Sequence, residues 1–414
     1  MAESVTEPNP SQALAPLANS TGRVVLRRGK AKPFYGRHPW VLDTAVARVE
    51  GEVADGDVVD LLCDKRRFIA RGIFNSHSKI RVRLYTWNSG EALDTAFWRG
   101  RLAVAGQLRE QLGYSDPEGG ARLVFSEADG LSGLIVDRYG RHLVVQVNAL
   151  AIEKRLDLFL ELLAEQFQPQ SIVVRREHGV AALEGMTPLH ESAWGEPPAG
   201  PIFIAEHGLR YGVDLSAGQK TGFYLDQREN RRIAARYLRG RRVLDMFCYS
   251  GGFGMAAIQL GGAAEVLGVD SSPKAIALAE ANAELNHLAG IRFRKQDCFE
   301  ALDELSLAGE RFGGIVLDPP KFTHGRRTVD DALRAYHRIN RQAVDLLEPG
   351  GILITCSCSG SVIREDFQMM LAGVAQKAGR SIQILEQLGP APDHPVSASC
   401  LDGEYLKCFI CRVV

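Results

Sequence analysis

No stretch of this sequence approaches the ~20 consecutive apolar residues that a membrane-crossing helix requires. The first twenty residues carry Glu3 and Glu7 but no Lys or Arg, so neither a secretory signal nor a transit peptide is expected there. With Pro8, Pro10 and Pro16, residues 1–21 read instead as a disordered tail. Charge of either sign is not in excess. The 49 basic and 50 acidic residues leave a net charge of -1, so a nucleic-acid footprint must be a local patch rather than a general coat. Cysteine is too sparse for a disulfide framework, with eight in 414 residues. One pair, Cys408-Phe-Ile-Cys411, has a metal-site spacing but sits in an apolar run, Leu406 to Val414, that reads as a strand. Positions three apart on a strand point to opposite faces, so these sulfurs cannot share a metal, and no metal is expected. What remains is a soluble, cytoplasmic chain of two or three domains, at ~150 residues each.

Basic residues do cluster once. Arg27, Arg28, Lys30, Lys32 and Arg37 are interleaved with Phe34, Tyr35, His38 and Trp40. Cations that attract phosphate, beside rings on which unpaired bases stack, suit RNA; the alternative is a solvated basic loop. Short strand candidates follow at Ala45–Val49, Val58–Cys63, Phe68–Phe74 and Ile80–Tyr85, separated by turn signals, and predict a small β-barrel over 22–94. Residues 95–200 read as an α+β domain. It has a helix over Leu93–Leu112, strands at Leu123–Ser126, Leu134–Asp137, Leu143–Val147 and Ser171–Arg175, and a helix over Ile152–Phe167. The Gly- and Pro-rich run Glu191–Pro201 reads as a linker, followed by a hairpin, Ile202–Ala205 with Arg210–Val213. Asp226 and Glu229 suggest a capping box for a helix ending at Leu238.

From Val243 the chain alternates strand and helix, the mark of a parallel, doubly wound α/β sheet within a domain spanning 201–414. Its last two strand candidates, Ile382–Gln387 and Leu406–Val414, have no helix between them and should pair antiparallel. That ending separates a methyltransferase-type Rossmann-like sheet from an all-parallel dehydrogenase sheet. The first strand runs into Asp245-Met-Phe-Cys-Tyr-Ser-Gly-Gly252, where glycines let backbone pass close to a ligand. Asp270 closes the second strand and Asp297 the third, places suited to ribose hydroxyls and to an adenine amino group or a backbone amide. Asp318-Pro-Pro-Lys-Phe322 follows the fourth strand, its prolines making a rigid corner that holds Asp318 against a flat base while Phe322 can stack. Cys356 reads as a core residue, whereas Cys358 lies where the chain leaves the fifth strand. A thiolate added to carbon 6 of a pyrimidine makes carbon 5 nucleophilic, and this requires a thiol whose pKa is depressed.

These motifs together resemble the RlmI-type class I methyltransferases, from about Val24 to Val414. The resemblance rests on Arg37-His-Pro-Trp40, Gly130-Leu-Ser-Gly133, Lys220-Thr-Gly-Phe-Tyr-Leu-Asp-Gln-Arg228, Tyr249-Ser-Gly-Gly-Phe253, Asp318-Pro-Pro-Lys-Phe322, Ser357-Cys-Ser359 and Asp393-His-Pro395. It implies a PUA barrel, a central α+β domain and a C-terminal domain that binds S-adenosylmethionine (SAM). The expected activity is methylation of a cytosine carbon 5 in large-subunit ribosomal RNA, with Cys358 as nucleophile and Asp318 and Lys321 as further catalytic residues. The expected cofactor contacts are Gln227, Asp245, Phe247, Tyr249, Ser250, Gly251, Gly252, Asp270, Ser271, Asp297, Cys298 and Asp318. RNA contacts are expected from Arg27, Arg28, Lys30, Lys32, Arg37, Phe322 and Arg326, and a homodimer is left open. Many cytosine-C5 RNA methyltransferases have a second cysteine after the corner, where this chain has Lys321, so the base for the elimination step is unassigned. A guanine-directed enzyme without a cysteine nucleophile, a non-catalytic RNA-binding protein and a dehydrogenase are the competing readings.

Overall fold

The computed structural model describes residues 20–186, 193–215, 222–322 and 328–414. The tail expected over residues 1–21 thus lies almost wholly outside the described residues, as do Lys220 and Arg326. Three layers follow one another along the chain. The first is a curled six-stranded sheet of Gly22–Leu26, Trp40–Leu42, Val46–Glu50, Val58–Leu62, Phe68–Phe74 and Ile80–Thr86. Its two edge strands, Trp40–Leu42 and Val46–Glu50, are joined by a single 3-10 turn over Asp43–Ala45, which draws the sheet toward a barrel. Val24, Leu26, Val41, Val59, Leu61, Val82 and Leu84 fill its inside.

The basic stretch is therefore not one loop. It contains two strands and the short helix Lys32–Tyr35. Its cations and Tyr35 are exposed, but Phe34 is buried, and Trp40 donates from Nε1 to Glu127 at 2.9 Å. Those two rings serve packing, so Tyr35 is the one fully surface ring of the set.

The second layer is a five-stranded sheet of Gly120–Phe125, Leu134–Tyr139, His142–Val147, Ser171–Arg175 and Ala193–Gly195. The expected linker thus contains an edge strand. Helices Thr95–Gln111 and Leu156–Phe167 cover the sheet through Trp98, Leu102, Phe159 and Leu163. Asp94 caps the first of these helices by accepting from the Phe97 amide at 2.9 Å. The single helix expected over Ile152–Phe167 is two, Leu150–Glu153 and Leu156–Phe167. At the break, Arg155 donates to the Ala151 carbonyl at 3.1 Å and reaches the Gly56 carbonyl of the first layer, also at 3.1 Å.

After the hairpin Ile202–Glu206 with Leu209–Val213 comes the third layer. Its strands are β1 (Arg242–Met246), β2 (Glu265–Asp270), β3 (Ile291–Lys295), β4 (Phe312–Leu317), β5 (Leu347–Ser357), β6 (Ile382–Leu388) and β7 (Lys407–Val413). Its helices are α1 (Arg228–Ala235), α2 (Gly252–Gln259), α3 (Pro273–Leu285), α4 (Cys298–Leu307), α5 (Val329–Leu346) and α6 (Arg364–Ala378). The strand order is β3-β2-β1-β4-β5-β7-β6. β1 to β5 are parallel, and β7 alone enters antiparallel, wedged between β5 and β6 and paired antiparallel with each. β1, β4 and β5 are apolar almost throughout because both faces are covered, one by α1 and α2 and the other by α4 to α6. Cys408 and Cys411 fall in the two core clusters on opposite faces, as the strand period requires. Among the described residues no helix is long and apolar enough to cross a membrane.

The expected capping box does not form. The N-cap of α1 is Gln227, and Asp226 instead accepts from the Tyr405 hydroxyl at 2.5 Å.

Candidate active site

Strand order reverses at β1, with β2 on one side and β4 on the other, which opens a crevice beyond the carboxyl ends of these strands. Register then decides what meets there. Met246 pairs with Val269 and Leu317, and Leu317 pairs with Thr355, so four strands end at one level. Just beyond them stand Phe247, Asp270, Asp318 and the turn carrying Cys358.

The turn from Phe247 to Gly252 is wound tightly. Phe247, Tyr249 and Gly251 have φ of 61°, 46° and 79°, and left-handed backbone at non-glycine residues is uncommon and gathers at working sites. Several partners hold it. Asp245 Oδ2 accepts from the Gly254 amide at 2.8 Å, and Asp270 Oδ2 accepts from the Tyr249 amide at 3.0 Å. The Tyr249 hydroxyl donates to the Gly222 carbonyl at 3.0 Å, and Asn282 donates to the Ser250 carbonyl at 3.1 Å. A side chain at Gly251 would approach the Phe293 ring at 3.0 Å on top of its left-handed strain.

The donor set fits a nucleoside carrying a diol. Asp270 spends one amide contact on each carboxylate oxygen, the second being Ser272 N–H to Oδ1 at 2.8 Å, and each oxygen keeps a further lone pair. Ser271 beside it is exposed. Asp297 caps α4, accepting from Phe299 and Glu300 amides through Oδ1 alone, at 2.9 and 3.1 Å. Cys298 follows Asp297 as the first residue of α4. Its thiol is buried against the Val269 carbonyl at 3.8 Å and is pushed up to about 12, chiefly by burial, so its side chain belongs to the core under β2.

On the other side of the crevice the corner after β4 meets Cys358. Among the eight cysteines only Cys358 is not buried, and its Sγ lies 3.7 Å from the Pro319 carbonyl. Asp318 Oδ1 accepts from Gln227 Nε2 at 3.0 Å, and Gln227 is fixed by Asn230 at 2.6 Å. Lys321 is exposed at the corner. Phe322 packs its ring 4.8 Å from that of Tyr336, so core packing against α5 occupies the ring expected to stack on a base. Cys356 is fully buried opposite Cys408, and burial holds its thiol well above the ordinary value, which leaves it no part in the chemistry.

Three residues at this site were given no role by the sequence. Tyr224 packs edge-on to Tyr249 at 5.3 Å. Desolvation of its hydroxyl end raises the phenol, with Asp318, Tyr249 and Cys358 adding to the effect. Tyr336 places its hydroxyl 3.1 Å from Ser359 Oγ. Lys407, buried on β7, donates to the carbonyls of Ser359 and Tyr405 at 2.8 and 2.9 Å. Farther off, His38, Cys400 and Asp402 bring one ligand-type atom each within 4.8 Å of one another, a grouping of distant residues where the sequence shows no metal spacing.

The family described as S-adenosylmethionine-dependent methyltransferase matches residues 188–407, and a PUA-like domain matches residues 24–87. Ribosomal RNA large subunit methyltransferase I of Citrobacter koseri is 40% identical over 394 residues, 95% of this chain and 99% of the relative. The protein of the same name from Escherichia coli (strain K12) is likewise 40% identical over 394 residues. In fold, the chain is similar to a SAM-dependent methyltransferase structure from Streptococcus mutans, with a TM-score of 0.80 at 20% identity over 94% of this chain and 99% of that one. It is also similar to SMU.776 complexed with SAH, with a TM-score of 0.82 at 20% identity over the same shares of both chains. With a methyltransferase sheet, a crevice at its point of strand reversal and a PUA-like sheet ahead of them, the chain belongs to the SAM-dependent methyltransferases of the ribosomal RNA large subunit methyltransferase I family.

Proposed function

We propose that this protein methylates carbon 5 of a cytosine in large-subunit ribosomal RNA, through a covalent bond between Cys358 and carbon 6 of the base. The observation that carries this reading is the meeting of Cys358, the one cysteine that is not buried, with the Asp-Pro-Pro corner across 3.7 Å. The names of the relatives support the choice of ribosomal RNA. The division of labour follows the expected domains. Residues 22–94, with Arg27, Arg28, Lys30, Lys32 and Arg37 exposed, hold RNA phosphates; residues 95–200 wall the cleft; and residues 201–414 carry the chemistry.

SAM, when bound, supplies an electrophilic methyl group on a sulfonium sulfur. Phe247 to Gly252 and the carboxylates of Asp245, Asp270 and Asp297 would hold it, with Ser271 at the rim and Gln227 beside Asp318. The Cys358 thiolate attacks carbon 6 of the flipped base, and the displaced π-electron pair makes carbon 5 the nucleophile that takes the methyl group. A base then removes the carbon 5 proton, and the electron pair returning to the ring expels the cysteine. Asp318, oriented by Gln227, is placed for the N3/N4 edge of the base, and Lys321 for a phosphate.

Cys358→Ala is expected to lower methyl transfer to a ribosomal RNA fragment by on the order of 10³-fold or more, while calorimetry shows unchanged SAM binding. A covalent adduct should accumulate on RNA carrying 5-fluorocytidine, which blocks the elimination. Methylation retained by the variant, with no adduct, would favour a guanine-directed enzyme instead.

A further inference from the structure

Lys407 is a buried cation that takes no part in the bond-making steps at Cys358. It begins β7, the strand inserted antiparallel beside β5, and its Cα pairs with that of Ser357, the residue before Cys358. Its Nζ donates at 2.8 Å to the carbonyl of Ser359, the residue after Cys358. A second N–H goes to the Tyr405 carbonyl at 2.9 Å. The ammonium thus sits at the turn that carries the nucleophile, bonded to the residue after it, while the Lys407 backbone pairs with the residue before it.

We propose that Lys407 is the positioning residue that keeps Cys358 in its thiolate form, a buried ammonium braced at the Cys358 turn by the Ser359 and Tyr405 carbonyls. The proposal rests on Cys358 being the nucleophile and adds how that thiol is activated.

The charges around the site show why a cation is needed. Asp318 on the facing corner is a like charge that works against a thiolate. Tyr224 and Tyr336 also face the sulfur, but their phenols are raised, Tyr336 to about 12 and chiefly by burial, so neither titrates near neutrality. Lys407 itself is lowered to about 8 by burial, and Arg364 and Lys321 push in the same direction. Cys358 and then Glu404 oppose that fall. The coupling is reciprocal: an anion at Cys358 that holds the ammonium charged is held ionised by it in turn. Since Lys407 is charged below about 8 and neutral above, the support given to the thiolate is full at neutral pH and fades as pH rises through that value.

The test reads the thiol directly. Alkylation of Cys358 in the full-length protein by iodoacetamide is followed against pH, and the modified peptide is quantified by mass spectrometry. The other seven cysteines are buried, which keeps the signal at Cys358. The expected midpoint in the unaltered protein is about one unit or more below the ~8.5 of a free thiol. Lys407→Met should raise that midpoint by about one unit, a tenfold loss of thiolate at pH 7, with SAM binding unchanged. Lys407→Arg should restore the low midpoint. A midpoint at or above ~8.5 in the unaltered protein would overturn the proposal, whether or not the Met variant folds. So would an unshifted midpoint in a Met variant that still binds SAM. Methylation retained by Cys358→Ala would remove the nucleophile, and Lys407's purpose with it, whereas an unshifted midpoint removes Lys407 alone.

Discussion

Asp245 shows how a single residue serves the site at the cost of a pH-dependent penalty. It is buried at the end of β1, and burial raises its carboxyl to about 7. The Gly254 amide opposes that rise, and Asp318 and Asp270 add to it. An unfolded aspartate titrates near ~3.9, so between that value and about 7 the native state binds a proton that the unfolded state lacks. The favourable contribution is full below ~3.9 and is lost as pH rises through about 7. Urea midpoints at pH 5 and pH 8 should therefore fall with rising pH in the unaltered protein more than in Asp245→Asn. An equal fall in both would show that the carboxyl is ionised throughout. Asp245 and Gly251 were readable in the sequence because strand end and glycine turn adjoin. Tyr224 and Lys407 were not, since what gives each its character arrives from far along the chain, as Ser359 does for Lys407 across 48 positions.

Elements meet at the site through a few polar clamps. Asn282 on α3 accepts from the Gly212 amide of the preceding hairpin at 2.8 Å and donates to the Ser250 carbonyl at 3.1 Å. It thereby ties the glycine turn to the hairpin, which precedes Asn282 by 70 residues. Asn282→Leu leaves both groups buried without a partner, and a loss of about 1–3 kcal/mol is expected on chemical denaturation, with weaker SAM binding by calorimetry. The loop between β6 and β7 is clamped in the same way. Burial raises Asp393, but His394, Arg228 and the Arg122 amide outweigh it and hold the carboxyl at about 2. That stability is present above ~3.9 and is lost as pH falls through about 2. Asp393→Asn should cost about 2 kcal/mol at neutral pH and nothing at the acid limit, as read by denaturation at each pH. Helix α4 has a start signal in the sequence, Asp297 followed by Glu300, and the backbone amides that Asp297 accepts from are those of the helix itself.

The layers of the molecule are joined by buried polar contacts of charged side chains. Glu184 of the second layer accepts from Asn75, Ser78 and Arg83 of the first, at 3.2, 2.6 and 2.9 Å, and from the Leu150 amide at 3.3 Å. Arg109 of the second layer reaches the Asp393 carbonyl of the third at 2.8 Å, and Arg228 of the third approaches Asp393 Oδ2 at 3.8 Å. Removing one partner from such a pair strands a buried charge. Glu184→Ala is expected to cost about 3–5 kcal/mol and to uncouple unfolding of the first layer from the rest, seen as a second transition on thermal melting. A single unshifted transition would show that the layers do not depend on this contact.

The sequence by itself determined the α/β class, the parallel run β1 to β5, the antiparallel ending and the Asp-Pro-Pro corner. These are local: a strand covered on both faces is an apolar run, and a proline fixes its own backbone. It also separated Cys356 from Cys358, because one lies within the apolar run and the other beyond it. Only the tertiary structure decided that Phe34 and Phe322 pack inward, that Trp40 is bound to Glu127, that the Cys298 thiol belongs to the core, and that Asp226 binds Tyr405 rather than capping α1. Only it placed Lys407 at the Cys358 turn. A side chain's surroundings depend on which strand lies beside it, and the insertion of β7 between β5 and β6 was set by the sheet, where no local pattern could record it.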